Sequence, residues 1–195
     1  MSDFALFLGK FLRQGTAIAS LAPSSRWLSR ATVADVERTR PVTVVELGAG
    51  TGPVTRALVE RVAPGSRLLV VERDPDFLRL LRERFDAVPG LEVIEADARD
   101  LADVLRDRGV DRADHVVSGL PTPSLPEAVR REVVRVVGEV LAPDGTFSQI
   151  TEMPWVYLGL YRRLFHDVRF RFEPRNLPPA GVYHCRRVRQ PVASP

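Results

Sequence analysis

Three glycines at alternating positions, Gly48, Gly50 and Gly52, follow the apolar run Val42-Thr43-Val44-Val45 and Glu46, and Pro53 then opens a helical pattern. Such a turn brings bare backbone to the carboxyl end of a strand, where open α/β sheets bind ligands. It has nucleotide-binding character, yet its spacing excludes two common kinds. A dinucleotide fingerprint needs glycine one position beyond Gly52, where Pro53 stands, and no Gly-Lys-Ser/Thr of a P-loop follows. Without a pyrophosphate cradle, recognition falls to side chains. Glu46 ends the first apolar run, Glu72 ends the second and Asp97 follows the third, so three carboxylates are expected to converge on one sheet edge. Such acceptors suit a ligand that offers hydroxyl, amine and ammonium donors.

The elements that must position these groups alternate from Val42 onward. Short β-branched runs predict strands at Val42–Leu47, Arg67–Glu72, Leu91–Glu95, His115–Ser118 and Gly145–Thr151. Helical periodicity between them predicts helices at Pro53–Val62, Pro75–Phe85, Leu101–Arg108 and Pro126–Leu141. This is the pattern of a doubly wound α/β sheet. Beyond Thr151 it changes to a helix near Trp155–Phe165 and strands near Val168–Phe172 and Gly181–Arg187, the last expected to return antiparallel.

A chain of 195 residues fits one domain, with an extension over 1–40, the main domain over 41–189 and a tail over 190–195. Phe4, Phe7, Leu8, Phe11 and Leu12 fall at i, i+3, i+4, i+7 and i+8, so a helix there carries one aromatic-rich face. At about 15 Å it could lie in a membrane interface but not span one; the alternative is that the face docks on the protein's own core. Cys185 is the only cysteine, which excludes an intrachain disulfide, and no secretory leader pattern precedes the domain, so a cytoplasmic location is expected. The net charge is +3, and from Glu152 onward eight arginines face three carboxylates, a bias that suits phosphate or an anionic lipid surface.

The glycine loop with its three acids resembles that of class I S-adenosylmethionine-dependent methyltransferases. The resemblance implies a Rossmann-like α/β fold with a seven-stranded, mostly parallel sheet whose last strand is antiparallel, preceded here by the helical extension. It further implies that Glu72 takes both ribose hydroxyls and that Asp97 reaches the adenine amine. Glu46, Gly48, Gly50, Thr51, Gly52, Arg73, Ala98 and Ser118 complete the expected cofactor set, with S-adenosylhomocysteine as product. A closer likeness runs nearly end to end. Gly15-Thr16-Ala17-Ile18, Ala22-Pro23-Ser24-Ser25, Val116-Val117-Ser118-Gly119-Leu120-Pro121, Gln149-Ile150-Thr151 and Asn176-Leu177-Pro178-Pro179-Ala180-Gly181-Val182-Tyr183 resemble the bacterial phospholipid N-methyltransferases. That family methylates the amine of phosphatidylethanolamine and is similar to rRNA adenine dimethyltransferases.

The resemblance implies a peripheral enzyme at the inner face of the membrane, working as a monomer on a phospholipid and on no nucleic acid. Ser24, Ser25, Arg26, Asn176 and Arg186 are expected near the substrate, and Phe4, Phe7 and Phe11 among acyl chains. Methyl transfer to an amine requires that the ammonium first lose its proton. Glu152, Tyr183 and His184 are the candidate acceptors, with Glu152 standing where family members commonly carry tyrosine. The rRNA enzymes hold their base with Asn-Leu-Pro-Tyr, for which this chain has Gly119-Leu120-Pro121-Thr122, so RNA ranks second. A small-amine methyltransferase and a cofactor-binding, membrane-associated module without catalysis are the other readings.

Overall fold

The structure is a computed structural model whose described residues are 24–121, 125–153 and 156–189. Phe4, Phe7 and Phe11, the Gly15–Ile18 motif, Thr122 and the tail, for which the sequence raised expectations, lie outside them. Seven strands form one sheet in the order β3-β2-β1-β4-β5-β7-β6. These are β1 (Thr43–Leu47), β2 (Arg67–Glu72), β3 (Leu91–Glu95), β4 (Ala113–Ser118), β5 (Leu141–Thr151), β6 (Phe165–Glu173) and β7 (Ala180–Val188). The first five are mutually parallel, and β7 runs antiparallel to both β5 and β6. The expected seven-stranded sheet with an antiparallel last strand is the sheet observed.

Helices α1 (Arg26–Thr32), α2 (Pro53–Val59), α3 (Pro75–Phe85), α4 (Leu101–Arg106), α5 (Glu127–Val140) and α6 (Leu158–Leu164) cover it. Proline opens α2 and α3, where a missing N–H costs nothing. Asp74 caps α3 by accepting the N–H groups of Asp76 and Phe77. The amphipathic α5 buries Val133, Val136, Val137 and Val140 against the larger core, which also takes Leu47, Val71, Val116, Phe147 and Tyr183. The opposite face of the sheet packs Val44, Leu68 and Val117 on Val54 and Leu58 of α2.

The structure differs from the expected boundaries in two informative places. β6 starts at Phe165, earlier than expected, because its pairing with β7 runs from Phe165 opposite Val188 to Glu173 opposite Ala180. β5 begins at Leu141, opposite Ala113, and its next partnered residue is Thr146 opposite His115, so the intervening residues bulge out of the ladder. Ahead of β1, Leu28 and Ala31 of α1 pack on Ala180 and Val182 of β7.

Candidate active site

Successive residues of a strand face opposite sides of a sheet, and the register decides which groups reach the rim at the carboxyl ends of β1, β2, β4 and β5. Leu47 pairs with Val71 and Ser118, Ser118 with Gln149, and Gln149 with Tyr183. These residues form one row on the α5 side. The row containing Glu46, Val117, Ser148 and His184 lies one residue further from the rim, on the side of α1 and α2.

The glycine loop begins immediately after Leu47. Gly48, Gly50 and Gly52 have φ of 70°, 55° and 84°, the left-handed region that costs a residue with Cβ but not glycine. Gly119 supplies a second opening by close approach: a Cβ there would lie 2.7 Å from the carbonyl oxygen of Gly48. The exit of β4 therefore lies directly on the loop.

Glu72 holds the loop from the side. Its Oε2 accepts the N–H of Gly50 at 2.9 Å, and its Oε1 accepts those of Arg73 at 2.8 Å and Asp74 at 3.0 Å. A carboxylate oxygen has room for two hydrogen bonds, so Oε2 keeps capacity for a ligand hydroxyl. Asp97 follows β3 and is engaged by Arg99, whose Nε lies 2.9 Å from Oδ1 and Nη2 3.1 Å from Oδ2, while Arg73 stands 3.7 Å away. The Arg99 hydrogen bonds hold the Asp97 carboxyl below the usual range, so it stays an acceptor at neutral pH. Ala98 opens the short 3-10 turn that Asp97 caps.

Glu46 behaves differently from the other two acids. Its side chain is buried and accepts a hydrogen bond from Thr55 Oγ1 of α2 at 2.7 Å. Burial first, and the neighbouring Glu72 in addition, push its carboxyl up to about 8. Glu46 is thus held against α2, whereas Glu72 borders the loop and Asp97 stands beside Arg73. Ser118 is buried at the end of β4 and accepts the N–H of Leu120 at 3.3 Å. Thr51 is buried within the loop, and its carbonyl accepts from Arg84 Nη1 at 2.8 Å.

Three contributors carried no expected role: Thr55, Arg84 and Gln149. The buried Gln149 amide donates to the carbonyls of Leu120 at 3.0 Å and Ile150 at 2.8 Å, fixing the β4 exit against β5. A glutamine within a strand, between Ser148 and Ile150, was the available signal, since a buried amide must find partners.

The other expected site residues are spread more widely. Glu152 follows β5 directly at the rim and is half-buried. Tyr183 is buried among Tyr161 and Phe170, with ring centroids at 4.9 Å and 5.1 Å, and its hydroxyl has no hydrogen-bond partner among the described residues. Burial pushes its phenol up. His184 points to the opposite face, where its Nδ1 lies 3.1 Å from Ser148 Oγ and 4.0 Å from Asp35. Burial lowers its imidazole below the ordinary value. Arg186 pairs with Asp35 at 3.2 Å and sits opposite Thr146, towards the far end of β5. The antiparallel direction of β7 thus carries His184 and Arg186 away from the rim.

Ser24, Ser25, Arg26 and Asn176 do lie together at the rim end. Asn176 is buried; its Oδ1 accepts the N–H of Ser25 at 2.8 Å and its Nδ2 donates to the Pro178 carbonyl at 2.8 Å. Ser25 in turn caps α1 by accepting the Leu28 N–H at 3.2 Å. Arg26 stacks over Trp27 at 3.9 Å.

Comparison with known proteins agrees with this geometry. The methyltransferase domain family matches residues 44–145, from β1 into β5. An ornithine lipid N-methyltransferase of Singulisphaera acidiphila is 60% identical over 190 residues, covering 97% of this chain and 99% of that protein. Ribosomal RNA small subunit methyltransferase A of Phenylobacterium zucineum is 41% identical over 78 residues, which span 40% of this chain and 26% of that protein. Among solved structures, the Burkholderia thailandensis 1,6-didemethyltoxoflavin-N1-methyltransferase with bound 1,6-didemethyltoxoflavin and S-adenosylhomocysteine superimposes with a TM-score of 0.67. It shares 17% identity, and the match covers 95% of this chain and 87% of that one. The loop, the acids bordering it and these matches lead to one conclusion: the chain belongs to the methyltransferase domain family and is a class I S-adenosylmethionine-dependent methyltransferase.

Proposed function

We propose that this enzyme methylates the primary amine of a membrane aminolipid, with ornithine lipid ahead of phosphatidylethanolamine as the acceptor. The observation that carries the reading is the 60% identity to an ornithine lipid N-methyltransferase along nearly the whole of both chains. The likeness to the ribosomal RNA enzyme is confined to 40% of this chain. Gly119 also stands where those enzymes carry the base-holding asparagine, which leaves RNA behind the lipid.

In this reading Glu72 would take the ribose hydroxyls and Asp97 the adenine amine, with Arg73, Ala98, Ser118 and the Gly48–Gly52 loop lining the slot and Glu46 supporting it from below. The bound donor supplies an electrophilic methyl group on a sulfonium. What remains for the protein is to align the acceptor nitrogen and exclude water, and such alignment is worth roughly 7–11 kcal/mol in favourable cases. Glu152, half-buried at the end of β5, would receive the ammonium proton. The Tyr183 phenol, kept protonated by burial, would orient the amine lone pair and not remove its proton. His184, bound to Ser148 on the other face, serves to tie β5 and β7 together. The protein would act as a monomer at the inner membrane surface. Among the described residues no helix is long and apolar enough to cross a membrane.

The deciding experiment offers labelled donor and purified protein four acceptors: ornithine lipid, phosphatidylethanolamine, small-subunit ribosomal RNA and small soluble amines, with products read by mass spectrometry. Methylated ornithine lipid is expected. Methylation of phosphatidylethanolamine alone would reassign the head group, and methylation of RNA alone would sink the lipid reading. Removing residues 1–14 should abolish turnover on vesicles while leaving donor affinity nearly intact.

A further inference from the structure

The exposed large apolar side chains among the described residues are Met153, Val156, Phe172 and Leu177, at 47%, 52%, 54% and 80% of full exposure. Scattered singly they would need no explanation, but all belong to one end of the sheet. Thr151, Gly181 and Phe172 form its last row across β5, β7 and β6. Met153 follows Thr151, whose Oγ1 accepts its N–H at 3.0 Å, and the Val156 N–H reaches back to the Met153 carbonyl at 3.3 Å. Leu177 occupies the turn between β6 and β7. That turn is held from within, because the neighbouring Asn176 is buried and bonded to Ser25 and Pro178. Leu177 is therefore presented to solvent by a fixed support.

Arginines stand beside these residues. Arg171 and Arg175 are exposed on and just after β6, and Arg26 is exposed at the start of α1, whose cap is tied to Asn176. The buried carboxylate at this end, Glu173, is taken by Arg175 at 2.7 Å. Arg171 also acts on the Glu173 carboxylate, but without a close ion pair among the described residues. Apolar side chains projecting from a cationic collar are complementary to an anionic lipid surface, which offers phosphate at the arginines' level and hydrocarbon beneath.

We infer that the rim formed by the ends of β5 and β6 and the turn before β7 docks directly on an anionic bilayer, with Leu177 and its apolar neighbours entering the lipid. The inference rests on the lipid reading above for its choice of occupant, and it is separate from any contribution of residues 1–14. Its geometric consequence is that a head group would arrive at the sheet edge that also carries Gly48, Glu72 and Ser118.

The test uses the full-length protein, sedimented with phosphatidylcholine vesicles with and without phosphatidylglycerol. Wild type should bind the anionic vesicles preferentially. Leu177→Asp and Met153→Asp should each lower that binding about tenfold or more, the worth of burying one large aliphatic side chain. Arg171→Ala should reduce the preference for phosphatidylglycerol. Donor affinity by calorimetry, unchanged in all three, confirms folding. Vesicle binding unaffected by both aspartate substitutions overturns the inference. So does loss of self-association in sedimentation velocity without loss of vesicle binding, which would make the rim a contact between two copies. Turnover of a short-chain, water-soluble aminolipid separates the two claims. Leu177→Asp should retain that turnover, whereas its absence in the wild type would remove the aminolipid reading while sedimentation still decides docking.

Discussion

If Glu46 carries a proton at neutral pH, replacing it by glutamine should change stability little near pH 4, raise it progressively from about pH 5 to about pH 8, and add little more beyond. The folded-state carboxyl titrates near 8, against 4.5 for an ordinary glutamate. A group raised in this way gives its full contribution below the unfolded value and loses it as pH rises through the folded one. Over that window the unfolded chain gives up its proton first, so ionisation favours unfolding. At about 1.36 kcal/mol per pH unit, the gap corresponds to about 4 kcal/mol of stability lost between about pH 5 and about pH 8. Glutamine has no proton to lose, and its carbonyl oxygen can still accept from Thr55 Oγ1, now 2.7 Å from Glu46. Urea unfolding of wild type and Glu46→Gln across this range isolates the effect, because every other titrating group cancels in the difference. The variant should gain on wild type steadily with pH, by a few kcal/mol in all. Parallel stability curves would show that Glu46 is ionised in the fold and refute the argument from its burial.

Four further outcomes follow from the site. Glu72→Ala should weaken donor binding about 10- to 100-fold, on the order of 1.5–3 kcal/mol for a charged hydrogen-bond acceptor, as read by calorimetry. Gly119→Ala should cost about 1–3 kcal/mol in urea unfolding and lower donor affinity as well, since its Cβ would meet the Gly48 carbonyl at 2.7 Å and a backbone oxygen cannot swing aside. Asn176→Ala leaves the Ser25 N–H and the Pro178 carbonyl without their partner, and about 1–3 kcal/mol of stability should be lost. Tyr183→Phe removes a buried hydroxyl with no protein partner, so thermal stability should hold or rise while kcat falls; an unchanged kcat would leave Tyr183 only a core residue.

Much of this architecture was legible because its periodicity is strong. Alternating β-branched runs and helical stretches, with proline opening α2 and α3, fixed the sheet and the place of the glycine loop. Glu72 could be placed because it ends a strand directly beside that loop. The limits arose where register matters. Glu46 precedes Leu47 by one residue, and that single step sets its carboxyl against Thr55 of α2. Tyr183 and His184 are adjacent in a strand and so must face opposite sides, but only the pairing of β7 with β5 reveals which of them shares a row with Ser118 and Gln149. Arg186 is expected near the substrate, yet in three dimensions it pairs with Asp35. Leu177 lies inside one of the segments that resembles the lipid enzymes, and nothing in its neighbours' types announces that the buried Asn176 would hold it outward.

The hydrogen bond from Ser25 to Asn176 joins residues 151 positions apart, and this orders events during synthesis. The first turn of α1 leaves the ribosome long before the hairpin on which it must settle exists. Until that hairpin arrives, Leu28 and Ala31 have no Ala180 or Val182 to cover them. Closing so large a loop is entropically slow, so the sheet's parallel half can assemble first and the amino-terminal arm is locked in place among the last steps.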